Sequence, residues 1–289
     1  MTYTLTFVAA NNNLNVEKIN FIAPDDSEVS WLSKNKAAEI QIKDSVSIEQ
    51  VEKYREQLDE HKIDIFCTPS ENRRKKLFMA DMDATIVTTE TLDELADEAG
   101  IKPQIAEITE RAMHGELDFH DALRERVRLI KDLPEEALKR TLDNTIISTG
   151  ADILLKTLKS HGVFTGLVSG GFTYYTSAIS NQLGFDINHG NQLDIQNAKL
   201  TGEVIDPILD KDSKLAFLNQ YVQQQNIALS DSVAIGDGAN DLPMLTNAGL
   251  GIGYQPKPLL REQILNCIIH TDLISVLYMQ GYRDTEISL

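Results

Sequence analysis

The chain has 289 residues, 42% hydrophobic and 25% charged, which supplies a core of ordinary size and excludes global disorder. Its 27 Lys and Arg face 44 Asp and Glu, a formal net charge of −17, and so acidic a surface repels phosphate backbones and anionic lipid, setting aside nucleic-acid and membrane-surface proteins. No apolar run approaches the roughly 20 residues of a membrane helix, the first thirteen residues lack a secretory signal's basic flank, and Cys67 with Cys267 make neither a disulfide framework nor a zinc site; a cytoplasmic enzyme or binding protein is the expectation.

The chain opens with short β-like stretches at Tyr3–Ala9, Ile19–Ala23, Glu39–Ile42 and Ile63–Cys67, around a helical pattern from Ser47 to His61. A basic, polar run, Ser70 to Lys76, then interrupts an otherwise acidic sequence. Residues 1–72 therefore read as a small α+β domain, and 73–289 as a second, larger one.

The pattern then changes to continuous apolar strands. Leu77-Phe78-Met79-Ala80 ends in Asp81, Phe164–Val168 ends in Ser169-Gly170-Gly171, and Val233-Ala234-Ile235 ends in Gly236-Asp237-Gly238, with Ala248–Gly253 a candidate fourth strand. Such strands separated by helices predict a Rossmann-like parallel sheet covered on both faces, an α/β fold whose ligands sit beyond the carboxyl ends of the strands. Between the first two strands, residues from about 90 to 147 read as a helical bundle. Thr91-Leu92-Asp93-Glu94 predicts a capping box, Pro103 a second helix that Gly115 ends, Asp118 the cap of a third, and Pro134 the start of a fourth. A bundle inserted there is placed to act as a lid.

Four constellations carry chemistry. Asp81-Met82-Asp83 brings two acids together at a strand end, where they repel one another unless a cation lies between them; an all-oxygen acidic site suits Mg²⁺, while a solvated acidic loop is the plain alternative. In Gly236-Asp237-Gly238-Ala239-Asn240-Asp241 the glycines allow close backbone approach, and Asp241 stands where a dinucleotide fingerprint needs a third glycine, favouring metal over nucleotide and leaving a simple turn as the alternative. Ser169-Gly170-Gly171 supplies a hydroxyl and backbone N–H groups suited to phosphate, though alone it is an ordinary loop sequence. Lys214 alone would be a surface lysine, and the other three motifs give it meaning.

Taken in order, DxDxT, a strand-end Ser, a Lys and GDGxxD resemble the haloacid dehalogenase (HAD) superfamily of phosphotransferases over residues from about 77 to 275. Within the insert, the segments around Glu90, Ala112–Phe119 and Leu123–Val127 resemble the phosphoserine phosphatase family. The resemblance implies a HAD fold with a helical cap and Mg²⁺-dependent hydrolysis of O-phospho-L-serine to L-serine and phosphate, the last step of serine biosynthesis, through an aspartyl-phosphate. It implies Asp81 as nucleophile and Asp83 as acid/base. Substrate contacts fall to Glu90, Met113, Phe119, Arg126, Ser169, Gly170, Lys214 and Asn240, and metal ligands to Asp81, Asp83 and Asp237. The one departure is Ala84, where the motif usually has serine; no charged group is lost with it. Transfer to another hydroxyl amino acid, or a phospho-accepting signalling domain, are the rival functions. The expected partner is the small-molecule substrate, with a homodimer compatible with the sequence. The first domain resembles the small amino-acid-binding (ACT-like) modules that precede some members of the family, and a dimerisation or folding module explains its pattern equally well.

Overall fold

The computed structural model describes residues 2–23, 27–114 and 116–288, with the Met113 side chain outside the described set. The expected helix stop at Gly115 also lies outside it. Two sheets organise the chain.

The first sheet is antiparallel: β1 (Tyr3–Ala9), β2 (Ser30–Ser33), β3 (Ala37–Ile42) and β4 (Ile63–Pro69), in the spatial order β2-β3-β1-β4. With α1 (Val16–Ile19) after β1 and α2 (Ile48–Leu58) before β4, the order β-α-β-β-α-β is the ferredoxin-like arrangement. Ser47 caps α2 by accepting a hydrogen bond from Gln50 N at 3.1 Å. The expected strand at Ile19–Ala23 is not one. Asn15 accepts from Lys18 N and starts a single helical turn, and Ile22 and Ala23 continue it by donating their N–H groups to Ile19 O; a local side-chain cap outweighs the apolar run.

The second sheet holds β5 (Leu77–Ala80), β6 (Phe164–Phe172), β7 (Ile187–Gln196), β8 (Lys199–Ile205), β9 (Ser232–Gly236), β10 (Leu250–Tyr254) and β11 (Asn266–Ile268) in the order β11-β10-β9-β5-β6-β7-β8. Every pairing is parallel except that of β7 with β8. β5, at the centre, is buried throughout because helices cover both faces of the sheet. The insert after β5 consists of α3 (Thr91–Glu98), α4 (Lys102–Met113), α5 (Phe119–Leu129) and α6 (Glu135–Asn144). The chain then returns through α7 (Ala151–Ser160) to β6, with α8 (Thr173–Leu183), α9 (Lys211–Gln224), α10 (Leu242–Asn247), α11 (Pro258–Arg261) and α12 (Ser275–Met279) following. No described helix is long and apolar enough to cross a membrane.

The two sheets meet at β4 and β11. Asn266 bridges them: its Oδ1 accepts from Cys67 N at 2.8 Å and its Nδ2 donates to Cys67 O at 3.1 Å. Asp64 of β4, buried, accepts from the backbone N–H of Ile269, His270 and Thr271 and from Thr271 Oγ1 at 2.6 Å. Val8, Leu32, Ala37 and Phe66 join the large core, while the other face of the small sheet keeps a separate cluster around Phe7, Ile40, Val51 and Ile65. Replacing Asp64 by Ala strands three N–H groups at this junction. Urea denaturation should register a loss of roughly 3 kcal/mol, and Asp64→Asn should recover part of it; a loss within about 0.5 kcal/mol, typical of an exposed site, would refute the role.

Candidate active site

The central strand delivers the first acid. Asp81 follows β5, its N–H donates to Ile235 O at 3.0 Å, and the residue is 3% exposed. The chain then turns sharply over Met82–Ile86, closed by Val87 N donating to Met82 O, with Ala84 in the left-handed region at φ 50°. A non-glycine residue pays a steric cost there. The reversal sends the side chains of Asp81 and Asp83 to different partners, although they are only two residues apart.

Asp81 faces Lys214. The lysine rises from the first turn of α9, is 2% exposed, and places Nζ 2.8 Å from Asp81 Oδ1 and 2.6 Å from Asp241 Oδ1. Burial would lower its pKa, but Asp241 and Asp81 outweigh it and hold the lysine above its ordinary value. Burial, with Asp241 beside it, pushes the Asp81 carboxyl well above the usual range despite the lysine. Asp241 is also gripped on Oδ2 by the N–H groups of Asp237 and Gly238, each at 3.1 Å. Gly236 is required at this point, since a Cβ there would lie 2.3 Å from the Asp241 carboxyl carbon.

Asp81, Asp237 and Asp241 offer oxygens within 4.8 Å of one another, all buried. The set is hard, oxygen-only and rich in negative charge, which suits a hard divalent cation. Asp241 already accepts on both oxygens, so Asp81 and Asp237 are the carboxylates best placed to ligate, and Asp241 holds Lys214 and the Asp237 backbone. The carboxylate of Asp83, expected among the metal ligands, is directed elsewhere. Its Oδ2 accepts from Ser169 Oγ at 2.8 Å and its Oδ1 from Thr91 N at 2.8 Å. That second bond also replaces the expected capping box. Thr91 is the first residue of α3 after an N-cap at Glu90 that makes no side-chain bond, and Asp83 satisfies its free N–H instead. Burial, then the nearby Glu90, raise the Asp83 pKa.

Ser169 sits where β6 breaks register, accepting from Gly171 N at 2.8 Å while it donates to Asp83. Gly171 has no room for a side chain, since a Cβ would come within 2.7 Å of Asp83 Oδ2. Asn191 on β7, which the sequence reading missed, holds this loop through Nδ2 to Gly170 O at 2.7 Å and is itself tied to Leu209. Phe119 of the cap lies over Gly170: a Cβ there would be 3.3 Å from the ring. Asn240 is exposed on the loop after β9, with Oδ1 against Gly238.

On the cap side, Arg126 projects from α5, half-buried. Its Nε donates to Ala122 O at 3.2 Å, and no ion pair to it forms among the described residues. Burial lowers its pKa, against the pull of Asp93 and Glu90. Glu90 is taken by Lys257 instead, at 3.1 Å. Lys257 also lies 2.9 Å from Asp237 Oδ2 and is the second residue the sequence reading missed. Its signal was position alone, just past the carboxyl end of β10.

The haloacid dehalogenase-like hydrolase model matches residues 78–246, and the chain belongs to this family. A phosphoserine phosphatase of Archaeoglobus fulgidus is 41% identical over 71% of the chain and 60% of its own length, so the chain spans less than two thirds of that relative. The phosphoserine phosphatase of Saccharomyces cerevisiae is 34% identical over 99% of the chain and 98% of its own. Among solved structures, a HAD family hydrolase of Salmonella enterica serovar Typhi superposes with a TM-score of 0.86 at 28% identity, over 96% of the chain and 98% of its own. A phospho-aspartyl intermediate analogue of phosphoserine phosphatase superposes with a TM-score of 0.66 at 40% identity, over 71% of the chain and 98% of its own.

Because Lys214 is the one cation paired with both buried acids, Asp81 and Asp241, among the described residues, Lys214→Met leaves both uncompensated. Chemical denaturation should show a loss of about 3–5 kcal/mol at neutral pH; unchanged stability would mean the ion pairs are not the structural centre described.

Proposed function

We propose that the chain is a Mg²⁺-dependent phosphoserine phosphatase, releasing L-serine and phosphate from O-phospho-L-serine. One observation carries the reading: a buried carboxylate, Asp81, lies 2.8 Å from a buried lysine, while a second, Asp83, is held apart by Ser169 and the cap's first helix. The likeness to phosphoserine phosphatases supports the choice of substrate.

A phosphate monoester resists attack because its oxygens repel a nucleophile. Lys214 and the backbone N–H groups beside Gly170 are placed to offset that charge. Mg²⁺, ligated by the Asp81 and Asp237 carboxylates, would add positive charge against the phosphoryl oxygens. An Asp81 oxygen attacks phosphorus and the phosphorus–oxygen ester bond breaks. Asp83, whose raised pKa keeps it protonated more readily than an exposed acid, gives its proton to the departing serine oxygen. The product is an acyl-phosphate on Asp81. Asp83, now a carboxylate, takes a proton from water as the water oxygen attacks phosphorus, freeing phosphate and restoring Asp81. The cap supplies recognition, Arg126 for the substrate carboxylate and Glu90 for its ammonium. Phe119 covers the glycines of the phosphate loop and Asn240 borders it. Met113, assigned to the same wall, has its side chain outside the described residues.

The same reading takes residues 1–72 as a domain of their own and 73–289 as the catalytic one, supported by the separate cluster around Val51. The ferredoxin-like order of the first domain is compatible with an ACT-like module.

Phosphate release measured over phosphoserine, phosphothreonine, phosphoethanolamine and sugar phosphates tests the function. Phosphoserine should be preferred, and Asp81→Asn should lose at least about 1,000-fold in kcat. Arg126→Ala should raise KM for phosphoserine by roughly 30-fold or more, with far less effect on phosphoethanolamine, which has no carboxylate. Normal turnover by Asp81→Asn, or phosphate release only when a second alcohol is supplied, would overturn the proposal.

A further inference from the structure

Lys257 is absent from the chemistry above, yet it touches two of the residues on which that chemistry depends. Its Nζ lies 2.9 Å from Asp237 Oδ2 and 3.1 Å from Glu90 Oε1. Its backbone is pinned independently of its side chain: Lys257 N donates to Asp237 O at 2.8 Å, and prolines flank it at 256 and 258, where α11 begins. The Lys257 side chain is 58% exposed, whereas that of Asp237 is 6% exposed.

The charge balance gives this contact a meaning. Asp81, Asp83, Glu90, Asp237 and Asp241 converge on the strand ends, and Lys214 is committed to Asp81 and Asp241. Asp237 and Glu90 share Lys257. These are the carboxylates which, on the reading above, receive the divalent cation and the substrate ammonium. One tethered ammonium therefore sits where two cations have to arrive. Its anchor is fixed, while its long, largely exposed chain can swing into water at little cost.

We infer that Lys257 is a built-in counter-cation of the active site, neutralising Asp237 and Glu90 and yielding them to the divalent cation and the substrate's ammonium. The inference rests on the functional reading for the identity of the incoming cations. Two consequences follow from competition for the same oxygens. Lys257 weakens divalent-cation affinity, because its ion pair must be given up before Asp237 is free to ligate. It also couples the two sites: a metal at Asp237 loosens the lysine's hold on Glu90, and an ammonium at Glu90 loosens its hold on Asp237, so each ligand favours the other.

The test is a calorimetric titration of Mg²⁺ into metal-free wild-type protein, Lys257→Met and Lys257→Gln, without substrate. Both variants should bind Mg²⁺ more tightly, by roughly threefold to tenfold for a pair as exposed as this one. Their metal-free forms should melt below wild type and gain more from Mg²⁺. Equal or weaker Mg²⁺ binding by a folded variant overturns the inference, since it would make Lys257 neutral toward the metal or an aid that orients Asp237 for it. Lys257→Gln, which retains hydrogen bonding without charge, decides the matter should Lys257→Met fail to fold. The readout is binding rather than turnover, so it stands apart from the phosphatase test: a protein that prefers another phosphate ester would still show the tighter Mg²⁺ binding.

Discussion

The ion pairs of Lys214 are the constraint around which the site is arranged. A lysine 2% exposed lies between two buried aspartates, one at the end of β5 and the other at the start of α10. Taking these charges out of water is costly for each alone and tolerable only together. The parallel sheet makes the grouping possible: β5 and β9 pair in register, so Asp81 and the Gly236–Asp241 loop emerge side by side from an apolar interior. The Asp241 carboxylate then ties the loop to itself through the N–H groups of Asp237 and Gly238. The contact that holds the lysine beside Asp81 also orders the turn that presents Asp237.

The cap shares an apolar seam with the sheet, where Leu123, Val127 and Ile130 lie in one core with Leu193, Leu200 and Val204, and charge and hydrogen bonds join it to this centre. Asp83 caps α3, Lys257 reaches Glu90, Arg124 pairs with Asp206 at 2.6 Å, and His120 lies 3.3 Å from Asp210. Polar contacts of this kind exchange with water at small net cost, whereas the apolar stripe of α5, with Leu123 and Val127, remains in the core. Because the first residue of α3 bonds to Asp83, the position of the cap's first helix and the orientation of the Asp83 carboxylate are one geometric variable.

Much of this was legible from residue order. Runs such as Leu77–Ala80 and Val233–Ile235 can only be strands buried on both faces, and the acids and glycines that end them mark the ligand side of the sheet. What escaped notice depended on contacts distant in sequence. Lys257 is separated from Asp237 by β10, and Asn191 lies in a polar strand whose role is to bond the Gly170 and Leu209 backbones. β2, Ser30–Ser33, has too few apolar residues to announce itself and exists because β3 offers it an edge. At Thr91 the local signal was correct in kind, a helix start needing an acceptor, but the acceptor came from Asp83, eight residues earlier, instead of Glu94.

In the proposed function, Arg126 is the residue whose charge a ligand would match. It stands beside the apolar stripe of α5, where burial leaves its charge less well solvated and lowers its pKa. Its hydrogen bond goes back to its own helix at Ala122, and the acids in its field, Asp93 and Glu90, form no ion pair with it among the described residues. Glu90 meanwhile is held by Lys257. On the proposed reading, a zwitterionic head group would meet both needs at once, its carboxylate completing the guanidinium and its ammonium replacing Lys257 on Glu90. A neutral sugar would satisfy neither, and a simple amine would leave the arginine as it is. On that reading, discrimination would come less from fit than from the cost of leaving a half-buried cation without an anion.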